Sequence, residues 1–235
     1  MKAIFKKELR SYFCSPIGYV FIAIFFFVAA LFFAISNLLS GYADVSYVFS
    51  NMTMIFLFLT PILTMRLLSE EKNSKTDQLL LTSPVKVSSV VLGKLFAAVA
   101  VLGIALATTI IFPLIISAYT TSEWGKIFGN YIGFCIMGAT FVSIGLYISS
   151  LTENQIIAAV STFGVLFLLY LIEWFGDTTA NVILRTVISS LAITSKFTDF
   201  AKGVINIQSV IYYVSIISIF VMLTIGQIEK KRWIK

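Results

Sequence analysis

The chain has 235 residues, 59% of them hydrophobic and only 12% charged, with 22 Phe, 10 Tyr and no histidine. A soluble domain is about 45–50% apolar and about 25% charged, so this composition excludes a soluble fold, and the aromatic content excludes a disordered chain. There is no His base and no His metal ligand, and the two cysteines, Cys14 and Cys135, cannot build a zinc site. What remains is an all-α, polytopic membrane protein with mean hydropathy +0.97, read as one domain over residues 1–235.

Residues 1–15 form an amphipathic segment. Phe5, Leu9, Tyr12 and Phe13 fall on one helical stripe, with Lys2, Lys6, Lys7 and Arg10 mostly elsewhere. The pattern suits a helix in the membrane interface with its basic groups towards anionic lipid, or an ordinary positive flank of the first span. Ser15-Pro16 then breaks that helix. The apolar run that follows is far longer than the 7–15 residues of a signal peptide, so it reads as a retained first span.

A helix needs about 20 apolar residues to cross a hydrocarbon core of about 30 Å. Charge-free stretches of that length place six spans at about 17–38, 45–65, 95–118, 128–150, 155–173 and 208–227. With the N-terminus, the 66–94 segment, the 151–154 turn and the C-terminus on one side, that side holds thirteen basic residues: Lys2, Lys6, Lys7, Arg10, Arg66, Lys72, Lys75, Lys86, Lys94, Lys230, Lys231, Arg232 and Lys235. The other side holds four, Lys126, Arg185, Lys196 and Lys202. This asymmetry predicts that both termini are cytoplasmic. The net charge of +6 is thus a topology signal, and no soluble basic face exists to bind nucleic acid.

The longest inner connection, residues 66–90, does not look like a passive linker. Glu70, Glu71 and Lys72 lead into a polar stretch, and Leu79, Leu80 and Leu81 then follow outside the membrane. Thr76-Asp77 can cap a short helix carrying the leucines, and Pro84 stops it. Apolar residues rimmed by charge read either as a docking surface or as a helix folded back on its own bundle. The tight turn containing Glu153, Asn154 and Gln155 offers a second small contact on the same side.

Residues 174–207 form the longest outer piece. Within it Leu184, Val187, Ile188 and Leu191 have helical spacing, which predicts an outer re-entrant or interfacial element, or a plain amphipathic connection. Inside the spans, Pro61 and Pro113 should kink the second and third helices. Gly129 and Gly133, continued by Ala139 and Ser143, allow close helix approach. The polar span residues Asn37, Asn51, Thr108, Thr109, Asn130 and Ser161 are few and not ionisable, and Asp44 and Glu173 lie at span ends. That argues against an ion-driven pump.

No Gly-x-x-x-x-Gly-Lys-Ser/Thr phosphate cradle exists: after Gly93-Lys94 stands Leu95, and after Gly125-Lys126 stands Ile127. The chain therefore has no ATPase site or catalytic residue of its own. A bundle with no ion relay and no nucleotide site, but with a charged inner loop, points to a membrane subunit driven by a separate soluble motor.

Several stretches resemble the permease subunits of type-two ABC exporters, nearest to the gliding-motility-associated ABC permeases of Bacteroidota-like bacteria. They are Phe5-Lys-Lys-Glu-Leu-Arg-Ser-Tyr-Phe, Ser15-Pro-Ile-Gly-Tyr-Val, Met65-Arg-Leu-Leu-Ser-Glu-Glu-Lys, Gln78-Leu-Leu-Leu-Thr-Ser-Pro-Val, Gly145-Leu-Tyr-Ile-Ser-Ser-Leu-Thr-Glu-Asn-Gln, and Phe197-Thr-Asp-Phe-Ala-Lys-Gly-Val-Ile through Ile211-Tyr-Tyr, with the ending Glu229-Lys-Lys-Arg-Trp. The resemblance implies an N-terminal elbow helix, six spans, and a cytoplasmic coupling helix within 66–85 that seats in an ATP-binding subunit. Glu70, Glu71 and Lys72 match its acidic start, and Leu79, Leu80 and Leu81 its apolar part. It further implies no cofactor on this chain, ATP and Mg on the partner, a second permease copy or a related permease, surrounding lipids, an auxiliary extracytoplasmic subunit, and residence in the bacterial inner membrane. The chain departs from the pattern at Lys75, where such loops commonly carry glycine, and at Lys196, where the gliding-associated members often carry histidine. Two alternatives to export accompany this reading: a mechanical or regulatory membrane subunit with no cargo, and a stand-alone secondary transporter.

Overall fold

The computed structural model describes residues 1–42, 44–76, 85–120, 123–178, 192–204 and 206–233. Among these the chain is helical throughout, and six helices are long and apolar enough to cross a membrane: Pro16–Leu39, Ser46–Asn73, Val87–Tyr119, Trp124–Leu151, Gln155–Trp174 and Ile207–Lys230. The third begins eight residues before the charge-free stretch suggests. Its first two turns carry Lys94, a residue that any search for gaps between charges must leave outside a span.

Helix α1 (Lys2–Cys14) ends at Ser15, whose backbone is extended. Pro16 opens α2 (Pro16–Phe33), where its missing N–H costs nothing. Gly18 permits the sharp corner, because a Cβ there would lie 2.7 Å from the Tyr12 carbonyl oxygen. The stripe on α1 turns onto the bundle: Tyr12 is buried and Leu9 and Phe13 pack on the core, while Lys2, Lys6, Lys7 and Arg10 are exposed. A π-helical turn, Ala34–Leu39, extends α2.

Helix α3 (Ser46–Thr64) contains Pro61, which deprives the Leu57 carbonyl of its helical donor. A corner leads to the short α4 (Ser69–Asn73). Lys75 follows with φ +56°, the left-handed conformation that a glycine accepts without steric cost. The leucines 79–81, with Asp77 and Pro84, lie outside the described residues. The third span is interrupted, α5 (Val87–Thr108) being followed by α6 (Ile111–Tyr119). Pro113 explains the break: it cannot donate to the Thr109 carbonyl, which instead takes the Phe112 N–H in a tighter turn at 3.0 Å.

Helix α7 (Trp124–Leu151) is the bundle's axis, with 72% of its span buried. It packs against α3, α5, α8 (Gln155–Thr178) and α10 (Ile207–Trp233). Its glycines make this possible, since lipid is as apolar as any side chain and helices associate through close packing. A Cβ on Gly145 would overlap the Thr64 side chain. Among the described residues, the nearest neighbours of the Gly129–Gly133 notch do not come from a spanning helix. The notch takes the short α9 (Phe197–Ala201), where a Cβ at Gly133 would sit 2.5 Å from the Phe200 Cβ and one at Gly129 would sit 2.8 Å from the Phe200 carbonyl oxygen. Phe25, Phe56, Phe134 and Phe141 fill the centre with edge and stacked ring contacts. The expected outer helical run at 184–191 lies outside the described residues.

At the end of the bundle remote from the N-terminus, Asn130 Nδ2 donates to Ser46 Oγ at 2.9 Å, and Ser46 Oγ donates to the Ala201 carbonyl at 2.8 Å. The Tyr213 hydroxyl donates to the Ile193 carbonyl at 2.6 Å. These bonds seat the return segment 192–204 across α3, α7 and α10.

Candidate functional site

The charged residues with structural work to do gather at the basal end, where α1, the α3–α4 corner, the start of α5 and the α7–α8 turn meet. Lys94 is the centre. It is 1% exposed, and its ammonium lies 3.0 Å from Glu8 Oε1 of α1 and 3.0 Å from Glu71 Oε1 of α4. Lys7, exposed, reaches Glu71 at 3.3 Å. One buried cation thus joins three elements distant in sequence. A lysine held dry by two carboxylates is a demanding arrangement, because each partner is costly to leave behind alone.

Arg66 forms a second knot. Its Nε pairs with Glu70 Oε2 at 2.9 Å, while its terminal nitrogens donate to Ser15 Oγ at 2.8 Å and Ser11 Oγ at 2.9 Å. The fork geometry of guanidinium suits such divergent bonds. The Tyr12 hydroxyl donates to the Leu63 carbonyl at 2.6 Å, fixing α1 to the end of α3. Burial first, then the charge of Glu8, pushes the Tyr12 phenol well above its usual range, so the donor stays protonated.

The corner itself is tied to α7. Ser149 Oγ accepts the backbone N–H groups of Leu68 and Ser69, each at 3.1 Å, and donates to the Met65 carbonyl at 3.2 Å. The Lys72 ammonium donates to the Ser150 carbonyl, and Asn73 Nδ2 reaches the Glu153 carbonyl at 3.4 Å. Asn154 caps α8 by accepting the Ile156 N–H at 2.8 Å, and Gln155 is the first residue of α8.

The coupling residues expected from the sequence therefore divide. Glu70, Asn73 and Thr76 stand at the surface, with Thr76 Oγ1 donating to the Glu71 carbonyl at 3.3 Å. Glu71 and Lys72 point inward and hold the corner to the bundle. Glu153 and Asn154 are exposed beside them. Pro61 lies in the last turn of α3, where its carbonyl accepts the Met65 N–H at 2.8 Å beside this junction, whereas Pro113 lies within α6, away from it. The sequence reading passed over Glu8, Lys94 and Ser149. Glu8 carried a signal, being an acid set between Phe5 and Tyr12 on the apolar stripe. Among the described residues, no three His, Cys, Asp or Glu side chains converge to hold a metal.

This arrangement ties α1, the α3–α4 corner, α5 and α7 into one junction. It defines a multi-pass helical membrane protein whose basal corner is locked to three helices at once. A family model, ABC-2 family transporter protein, matches residues 2–228, and the chain belongs to that family. Its members are membrane subunits that work with an ATP-binding subunit in ABC transporters. No curated protein matches the chain.

Proposed function

We propose that this chain is the permease subunit of an ATP-driven exporter in the bacterial inner membrane, with both termini and the basal junction facing the cytoplasm. A separate ATP-binding subunit, holding ATP and Mg, docks against the exposed edge around Glu70, Asn73 and Thr76, with Glu153 and Asn154 as a second contact. Leu79, Leu80 and Leu81 complete the seat. Movement of that subunit pushes on α4, and the Glu71–Lys94–Glu8 cluster passes the load to α5 and α1. Two permease copies, or this chain with a related permease, would frame the pathway, together with an auxiliary extracytoplasmic subunit. The quoted motifs favour an envelope or gliding-motility setting, and a mechanical role without cargo uses the same junction.

The observation that carries this reading is the family match across residues 2–228, and the locked corner supports it physically. The test is Glu70→Arg, which reverses a charge on the exposed edge and leaves the Glu8–Lys94–Glu71 cluster in place, compared with Glu70→Gln, which gives up the Arg66 pair without reversing the charge. In Glu70→Arg, co-purification with the ATP-binding subunit and stimulation of its ATPase should both fall severalfold. Wild-type association and stimulation in that variant would refute the docking edge.

A further inference from the structure

At the opposite end of the bundle, a cavity of about 290 Å³ opens between α3, α8 and the return segment. Its walls carry one acid, Glu173, with the aromatic rings of Tyr170, Trp174 and Phe197, and hydroxyls from Ser50 and Thr53. Glu173 Oε2 accepts the Thr194 N–H at 3.1 Å and the Thr194 hydroxyl. Among the described residues, Oε1 accepts no hydrogen bond and no lysine or arginine comes within ion-pair distance, although Lys196 lies two residues past Thr194. The carboxylate is thus oriented through one oxygen, and Glu173 lines the cavity.

The cavity continues as a stripe. Phe163, Phe167, Tyr170 and Trp174 recur at helical spacing down α8. Phe163 lies 4.6 Å from the exposed Phe58 of α3 and 5.4 Å from Phe167, centroid to centroid. Tyr170 and Trp174 line the cavity itself, and Phe163 and Phe167 follow on the same face of α8 beside Phe58.

We propose that this cavity binds the headgroup of an alkylammonium amphiphile, its nitrogen on Glu173 and its chain along the α8 aromatic stripe. The charge decides the class. A cationic headgroup gains the carboxylate and the faces of Trp174 and Tyr170. A neutral headgroup gains neither, and an anionic one meets a like charge. At about 290 Å³ the cavity is at the lower end of small-molecule sites, about 300–1,000 Å³, with room for a headgroup and its first carbons. The inference deepens the exporter reading by naming the chemistry its walls accept, but the binding itself needs no ATPase.

The test uses the full chain in maltoside micelles, which contain no ammonium. The probe is dodecylammonium carrying a chain diazirine, with adducts mapped by mass spectrometry. Labelling should fall on the α8 peptide containing Tyr170 and Trp174. Unlabelled dodecylammonium should compete about tenfold better than dodecanol or dodecyl phosphate. Glu173→Gln, which keeps an acceptor for Thr194, should lose that advantage, and Glu173→Asp should keep most of it. Equal competition by the three headgroups, labelling elsewhere, or an unchanged Glu173→Gln profile would overturn the proposal. The headgroup comparison on wild-type protein decides the matter even if a variant fails to fold. Headgroup selectivity in a chain that neither associates with nor stimulates an ATP-binding subunit would refute the exporter reading alone; association and stimulation without headgroup selectivity would refute this inference alone.

Discussion

Lys94→Met removes the cation from the basal junction and keeps an unbranched side chain of similar reach. The magnitude follows from the surroundings. Lys94 is 1% exposed, and the two carboxylates it holds, Glu8 and Glu71, have side chains 12% and 14% exposed. Stranding partners of a buried ion pair costs about 3–5 kcal/mol. Lys7 offers partial relief at 4.0 Å from Glu8 and 3.3 Å from Glu71, but it is 66% exposed, and such a surface partner is worth about 0–1 kcal/mol. Lys94→Met should therefore cost about 3 kcal/mol. Adding Glu8→Gln and Glu71→Gln removes the stranded charges, and this triple variant should return to within about 1 kcal/mol of wild type. Lys7→Ala should cost less than about 0.5 kcal/mol. Denaturant unfolding of the full chain in micelles, followed by tryptophan fluorescence, measures all three. A Lys94→Met protein as stable as wild type, or a triple variant no better than the single one, would show that the cluster is not a coupled buried unit.

Three further outcomes are expected. Gly133→Ala should destabilise by about 1–3 kcal/mol and loosen α9, because the new methyl meets Phe200 at 2.5 Å; Gly103→Ala, with nothing within 4 Å, should be neutral or slightly stabilising, and paired melting curves compare them. Lys75→Gly should stabilise by up to about 1 kcal/mol in the same measurement, since it relieves a positive φ. Tyr12→Phe should cost about 1 kcal/mol near neutral pH through the lost bond to Leu63. The folded state binds the Tyr12 proton more tightly than the unfolded chain, so this contribution is complete below about pH 10 and is lost as pH rises further. Melting at pH 8 and pH 10.5 should show the variant less sensitive to alkali than wild type.

Much of the architecture was legible in the sequence because membrane spans announce themselves by what they lack. Six charge-free stretches became six spans, the Ser15-Pro16 break fell where α1 ends, and Pro113 marked the divided third span. Lys75 was legible in another way: an expected glycine position proved to need positive φ. The junction was less legible. A charge that ends a stretch looks like a boundary, so Lys94 read as the edge of a span when it is a buried centre. Glu71 and Lys72 read as surface charge because periodicity over a five-residue helix cannot say which side faces the bundle. Gly129 and Gly133 announced a close contact, but not that a short return helix would fill it.

The most direct test of the central claim, that the basal corner is the cytoplasmic seat of the ATP-binding subunit, is site-directed labelling at Ser74, an exposed residue just past α4. Ser74→Cys is introduced into a chain with Cys14 and Cys135 replaced by serine. A membrane-impermeant maleimide should label it in inverted vesicles and not in intact cells, and bound ATP-binding subunit should block the reaction. Labelling in intact cells would place the corner on the outer side and contradict the account.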